Sequence, residues 1–403
     1  MARRIGIIAE YNPFHGGHAY QISEVKHKYP DADIVVFMSG DFVQRGEPAI
    51  VSKYFRAKEA VKGGADIVLS PPVFASVSSA GDFAFYGVTG LLAAGCDSIS
   101  FGCEDIDVAE AGRDIKRLTD IEGSDEYNDV IRSGMKAGLS YPMARFEAVR
   151  GTGFFADDLL EKIKKPNNLL AFEYIRALCL LGREDEIELI PVKREGLGYH
   201  DDLAFEAEYP SAEGIRKCMR EGEMTDKAPG LAGYLGDHNP VFPDDLSQML
   251  FYRLISMGTD EIAEARDCDE DIANRIKNLL PQFESFTQFT ELVKTKDVTY
   301  TRVSRGLVNI LLGIGNVPKE LPYMYVLACG KEKRYILSDI TSTSDIPILV
   351  TGKDEDVLLK TGEQDAVRAC LKTDRTAHET ESYLSVKGGG KRLPEMFRDY
   401  IFV

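Results

Sequence analysis

Apolar runs alternate with amphipathic stretches over the first half of the chain. RIGIIAEY (4–11), ADIVVFMSG (32–40), ADIVLSPP (65–72) and CDSISFGCE (96–104) read as short strands buried on both faces. Between them HAYQISEVKHKY (18–29), SKYFRAKEAVKGG (52–64) and DFAFYGVTGLLAAG (82–95) carry helical spacing, two of them stopped by glycine. A β-α-β-α-β-α-β order of this kind predicts a mostly parallel sheet with right-handed crossovers. Residues 105–165 are more polar and read as helical. PNNLLAFEYIRALCLL (166–181) is then a helix leading into EIELIPVKR (186–194), a fifth strand.

Beyond this α/β domain, placed at 1–225, the segment APGLAGYLGDHNPVFPDD is rich in Gly, Pro and Asp and reads as a linker, placed at 226–242. LSQMLFYRLISM, EDIANRIKNLL, SFTQFTELVKT and TRVSRGLVNILLGI predict a helical domain over 243–318. YMYVLACG, RYILSDI and IPILVTG predict strands of a small α/β tail over 319–403. No internal repeat or low-complexity tract is visible.

The chain has 403 residues, 44% of them hydrophobic, which suffices for real cores in two or three domains. No apolar run approaches the roughly 18 residues of a membrane span, and the first residues lack a signal-peptide pattern, so a cytoplasmic chain without membrane contact is expected. Seven cysteines are scattered without a CxxC pair, which suggests neither a metal site nor a disulfide framework. A net charge of −17 argues against indiscriminate nucleic-acid binding, so an RNA partner would need a local basic face.

The chemistry concentrates at FHGGHAY (14–20), in the turn after the first strand, where open parallel sheets cradle phosphates. Gly16 and Gly17 let a ligand approach the backbone, the next helix offers unpaired amides, and His15 and His18 can donate to phosphate oxygens as charge develops. The plainer reading makes His15 a turn cap and His18 a core residue. Two histidines and two glycines at one strand-to-helix junction favour function. The pattern is neither GxGxxG nor GxxxxGK[ST], so dinucleotide and P-loop sites lose ground.

HGGH matches the HxGH signature of the nucleotidyltransferase superfamily. The longer string EYNPFHGGH, followed in order by MSGDFVQRGEPAIVSKYFRAKEA, FGCED, KPNNLLAFEYIRAL and KREGLGYHD, resembles the bacterial tRNA(Met) cytidine acetate ligase family. The resemblance is strong over the first 220 residues, moderate through KTKDVTYTRVSRGL (294–307), and only general in the tail. It implies a Rossmann-like, HUP-type nucleotidyltransferase sheet domain followed by a helical domain and a small α/β tail. The implied enzyme activates acetate with ATP, with Mg²⁺ accompanying the nucleotide, and acetylates the wobble cytidine of elongator tRNA(Met). Gly16 departs from relatives that more often carry Asn, at a permissive position of the motif.

Carried onto this chain, the resemblance makes His15 and His18 catalytic. ATP is expected against Ile7, Ile8, Ala9, Glu10, Tyr11, Asn12, Pro13, Phe14, His15, Gly16, Gly17, His18, Ala19, Tyr20, Gly102, Asn167, Asn168, Arg194, Ser211 and Arg216. Ser211 reads as a helix N-cap and Arg216 as a charge in the early turns that follow. Tyr199, His200 and Asp201 either orient the loop of Arg194 or contact the substrate, with a surface ion pair as the plainer reading. Arg45, Lys53, Lys294, Lys296, Arg302 and Arg305 are expected to meet RNA, Tyr300 among them offering a stacking ring. Taken alone, each charge run reads equally as a solvated face. Two other readings stay open: a small-molecule adenylyltransferase, and a nucleotide-sensing RNA-binding protein without catalysis. The oligomeric state is open as well, a homo-oligomer included.

Overall fold

In the computed structural model, residues 3–104, 107–139, 141–163, 165–193, 211–222, 228–360, 364–386, 392 and 401–403 are described. The apolar runs form β1 (Arg4–Ala9), β2 (Asp33–Met38), β5 (Ile67–Ser70), β6 (Ser98–Cys103) and β7 (Glu188–Lys193). A small antiparallel hairpin, β3 (Phe42–Val43) and β4 (Glu47–Pro48), follows β2. β5, β2, β1, β6 and β7 lie side by side and are all parallel. β1 thus sits centrally, and its carboxyl end opens beside those of β2 and β6.

Helices cover both faces of this sheet, as buried parallel strands require. The helix Ala80–Ala93 lies close against it because glycines face the strands; a Cβ on Gly90 would stand 2.5 Å from the Phe37 ring. Helices between 108 and 163 pack a satellite core of Ile115, Leu118, Leu159 and Phe172 against the helix Pro166–Leu180.

The tail differs from expectation. β8 (Met324–Cys329) pairs antiparallel with β5, while β9 (Ile348–Leu349) and β10 (Ile401–Phe402) pair with β8, so these strands extend the first sheet rather than build a separate one. β8 is buried along its whole length and seals an otherwise open hydrophobic edge. RYILSDI is not a strand: Arg334–Thr343 is helical, with Ile336 and Ile340, four apart, buried on one face. The segment expected as a linker is also packed. It holds the helix Leu231–Asp237, and Ala228 and Leu231 share a core with Ile50, Val51, Ile215 and Met219.

Helices Ser247–Ser256, Glu270–Leu279, Phe286–Val293 and Tyr300–Leu312 form the expected bundle around Leu250, Ile276, Phe286, Phe289 and Leu307. This bundle touches the sheet domain at the β3–β4 turn. Ser304 Oγ donates to the Gly46 carbonyl at 2.7 Å, and Gly46, at φ +78°, lies so near that a Cβ there would stand 2.4 Å from the Arg305 nitrogen. Only glycine fits such an approach.

Candidate functional site

After β1 the chain turns at Tyr11, whose φ is +48°, and enters the helix Gly16–Lys28 at His15. His15 is the N-cap: its Nδ1 accepts from the Gly17 amide at 3.1 Å, while His18 Nδ1 accepts from the His15 amide at 3.3 Å. The two rings stack with centroids 3.8 Å apart and planes 30° from parallel. With each Nδ1 committed as an acceptor, the proton of each neutral imidazole belongs on Nε2, so both rings become Nε2–H donors. Tyr11 packs on His18 at 4.6 Å and edge-on to Phe14 at 5.0 Å, which fixes the ring stack from behind. Capping and a ligand-facing position, set against each other on sequence, are combined in His15.

A cleft of about 380 Å³ opens at this helix head, over the carboxyl ends of β1 and β6. Its wall brings together Ile8, Ala9, Glu10, Tyr11, Asn12, His15, Gly17, His18, Tyr20, Gly102, Asn167, Ser211 and Arg216 from the expected set. Ser211 caps the helix Ala212–Arg220, its Oγ accepting from the Gly214 amide at 3.1 Å, and Arg216 donates to the Asn12 carbonyl at 2.8 Å. The two ends of the domain thereby close on one site.

Some expected residues stand behind the wall. Ile7 is fully buried in the sheet, Pro13 and Phe14 pack inward, and Gly16 and Ala19 are not on the lining. Asn168 is also fully buried. Its Oδ1 accepts from the Glu104 amide at 2.7 Å, and its Nδ2 donates to the Glu104 and Lys162 carbonyls at 2.8 and 2.9 Å. It therefore shapes the end of β6, and its neighbour Asn167 reaches the cleft. Arg194, Tyr199, His200 and Asp201 lie outside the described residues.

The cleft adds residues that the sequence did not mark as ligand contacts: Gln21, Gln44, Glu47, Phe83, Glu104, Tyr174 and Lys193. Gln44 and Glu47 arrive on the β3–β4 hairpin, which is tied to the first loop by the Gln44 amide donating to Glu10 Oε1 at 2.8 Å. Arg56, fully buried, holds the same corner by donating to the carbonyls of Glu10, Ser39, Gly40 and Val51. The polar string DFVQRGE directly after a strand was the available signal; how far the hairpin reaches is a tertiary fact.

The basic residues divide. Arg45 lines the cleft, Lys294 pairs with Glu291 at the surface, Lys296 is exposed, and Arg302 pairs with Asp269 at 2.9 Å. The expectation of RNA contact is corrected for two others. Lys53 is buried, with its ammonium 2.7 Å from Asp41, and Arg305 is buried with Nε and Nη2 each 3.0 Å from the Asp267 carboxylate. Neither can meet a phosphate without giving up its ion pair to the buried Asp41 or the half-buried Asp267.

His378 Nδ1 lies 3.4 Å from the other Asp41 oxygen, and Glu381 is buried alongside. Burial would raise the Asp41 carboxyl, but Lys53 and His378 outweigh it and hold it below the ordinary range, while burial and the Asp41 charge push Glu381 well up. Ligand atoms of Asp41, His378 and Glu381 fall within 4.8 Å of one another, a spacing that a metal ion could bridge. Lys53 already pairs with Asp41, and Glu381 is pushed toward its neutral acid, so a divalent cation would bring uncompensated charge into the core. The cluster is a buried ionic lock between the second strand's exit and the helix Gln364–Leu384.

Residues 2–387 match the model of the HIGH nucleotidyl transferase family. The tRNA(Met) cytidine acetate ligase of Ligilactobacillus salivarius is 35% identical over 364 residues, covering 87% of this chain and 91% of that one. The crystal structure of Thermotoga maritima TmcAL superposes with a TM-score of 0.86 at 26% identity, covering 96% of this chain and 95% of that one. Its form bound with alpha-thio ATP superposes at 0.84 with the same identity and coverage. The chain belongs to the tRNA(Met) cytidine acetate ligase family of HIGH nucleotidyl transferases.

Proposed function

We propose that this chain is an ATP-dependent ligase that activates acetate as acetyladenylate and transfers the acetyl group to the wobble cytidine of elongator tRNA(Met), leaving N4-acetylcytidine. The observation that carries the reading is the stacked pair His15 and His18, each with Nδ1 accepting a backbone amide at the head of the first helix. Two Nε2–H donors held this way need no reorganisation when charge builds on an α-phosphate oxygen, which is where preorganised donors contribute most. Ser211 and Arg216 approach from the other wall and suit the β- and γ-phosphates, while Gly102 and Asn167 sit where the nucleoside would lie. An ATP analogue bound to the Thermotoga relative supports the same substrate here.

Mg²⁺ would accompany ATP and supply positive charge against its phosphates, and cleft carboxylates such as Glu10 and Glu104 would hold it in place of a dedicated cage. Acetate then attacks the α-phosphorus, pyrophosphate leaves, and the cytidine amine attacks the mixed anhydride. In this reading 1–225 is the catalytic unit and 243–318 the RNA-binding unit, with Lys294, Lys296 and Arg302 as its outward-facing cations and Arg45 adding a cation at the cleft.

Two assays test it. Labelled pyrophosphate should exchange into ATP only when acetate is present, and labelled acetate should appear in a single nucleoside after digestion of tRNA(Met). Exchange without acetate, or ADP in place of AMP as the product, would remove the adenylate from the scheme.

A further inference from the structure

Four carboxylates line the cleft, and three have other commitments or settings. Glu10 accepts the Gln44 amide at 2.8 Å, and Glu104 accepts from Asn167 at 3.1 Å. Glu213 lies exposed on the first turn of its helix. Glu47 is different: it is half-buried, and no hydrogen bond reaches its carboxylate among the described residues. Its place is also particular. The strand that carries it follows Gly46, the residue pressed against Ser304 and Arg305 of the helix Tyr300–Leu312, so Glu47 stands where the cleft meets the helical unit. Tyr300, at the head of that helix, feels it: burial and then the Glu47 charge push the phenol up to about 12.

Resting on the ligase reading above, we propose that Glu47 is the general base of the second step, taking the proton of the cytidine amine as that amine attacks the acetyl carbonyl. The N4 lone pair of cytidine is delocalised into the ring, so the amine becomes a competent nucleophile only as it loses a proton. The N–C bond forms, the bond from the acetyl carbon to the phosphate oxygen breaks, AMP leaves, and the amine proton passes to the Glu47 carboxylate. A positioned base of this kind contributes roughly 10²- to 10⁴-fold. Burial raises the Glu47 carboxyl, and the Glu10 charge adds to this, while Arg216, Arg45 and Arg220 act the other way with the net shift upward. A raised carboxyl is a better proton acceptor once ionised. Since the base serves the amine alone, activation of acetate does not call on it.

The test separates the two steps in the full-length protein. Glu47→Gln keeps size and polarity but cannot accept the proton. We expect acetate-dependent exchange of pyrophosphate into ATP within about threefold of wild type, and single-turnover transfer from preformed acetyladenylate to saturating tRNA(Met) lowered at least about a hundredfold. Wild-type transfer should rise with pH through the Glu47 titration, and the variant should lose that limb. Glu47→Asp should recover part of the transfer rate. Transfer by Glu47→Gln at the wild-type rate would overturn the proposal. So would an equal fall in exchange and transfer, or a raised Mg²⁺ requirement in both, which would make Glu47 a partner of Arg216 or of the metal–nucleotide complex. Wild-type protein with no acetate-dependent exchange would instead remove the ligase reading, and the proposal with it.

Discussion

Arg216 Nη1 donates to the carbonyl oxygen of Asn12 at 2.8 Å, across 204 positions of chain. The bond joins the helix capped by Ser211 to the loop that carries His15, so the two walls of the cleft move as one. Arg216→Ala removes both this clasp and a cleft cation that the proposed function sets against the phosphates. A hydrogen bond to a charged group is worth about 1.5–3 kcal/mol, which corresponds to a loss of ATP affinity of roughly ten- to a hundredfold. Titration calorimetry with ATP checks it. Arg216→Lys should fall between, because an ammonium keeps the charge and loses the planar fork. Wild-type affinity in Arg216→Ala would exclude this helix from the nucleotide site.

The histidine pair predicts a split between stability and rate. His15→Ala removes an N-cap and should cost about 1 kcal/mol in denaturant unfolding. His18→Ala leaves the His15 amide with one acceptor fewer and should cost no more. Each should nevertheless lower acetate-dependent pyrophosphate exchange about a hundredfold, the usual penalty for losing one preorganised donor. If exchange fell only in proportion to the unfolded fraction, the histidines would be caps and nothing else.

Adjacent asparagines should behave oppositely. Asn168→Ala leaves the Glu104 amide and two carbonyls without their partner and should cost about 1–3 kcal/mol per orphaned group that stays buried. Asn167→Ala should leave the unfolding midpoint nearly unchanged and raise the KM for ATP, since its side chain is on the cleft wall. Equal effects of both on KM and midpoint would contradict the division.

Much of this was legible in the chain. Uninterrupted apolar runs such as IVVFM are what a strand covered on both faces needs, and His15 and His18 stand at the first strand-to-helix turn, where open sheets bind ligands. Sheet order was not legible. The run in β8 announces a buried strand, but nothing local says that it lies antiparallel beside β5. RYILSDI misled because Tyr335 and Ile336 carry strand propensity, whereas the buried pair Ile336 and Ile340 follows the helical period. Basic residues misled for another reason. Sequence gives the sign of Lys53 and Arg305 but not the carboxylates of Asp41 and Asp267 that turn them inward.

Asp374 provides a pH test. Buried on the helix Gln364–Leu384, it accepts from the Val73 amide and from the Tyr323 and Tyr325 hydroxyls, each at 2.7 Å, tying the tail to the sheet domain. Burial outweighs these bonds and pushes its carboxyl up to about 6, from an ordinary 3.8. The folded state therefore holds this proton more tightly than the unfolded chain. The stability it contributes is full below pH 3.8 and is lost as pH rises through about 6, after which it changes no further. Asp374→Asn cannot titrate. The stability of the variant relative to wild type should climb by on the order of 3 kcal/mol between pH 4 and pH 6 and stay level above. A difference independent of pH in denaturant titrations would mean that Asp374 does not change protonation there.

Lys53 and the outward cations make the last prediction, because the same side-chain charge should act through different terms. Lys53 faces Asp41 in the interior at 2.7 Å, so Lys53→Ala strands a buried carboxylate and should cost about 3–5 kcal/mol of stability. Charge on the surface behaves differently. The pairs of Lys294 with Glu291 and of Arg302 with Asp269 are exposed enough to contribute little, so their cations can exchange a carboxylate for a phosphate at small cost. Lys294→Ala, Lys296→Ala and Arg302→Ala together should leave the denaturation midpoint nearly fixed. Binding of tRNA(Met) should weaken, and the slope of log affinity against log salt should flatten by roughly 0.7–0.9 for each phosphate that no longer meets a cation. Filter binding at several salt concentrations, paired with urea unfolding of the same proteins, reads both quantities. A Lys53→Ala protein of normal stability but flattened salt slope would return that lysine to the RNA face, and a triple variant with an unchanged slope would leave the helical unit's cations as a solvated surface.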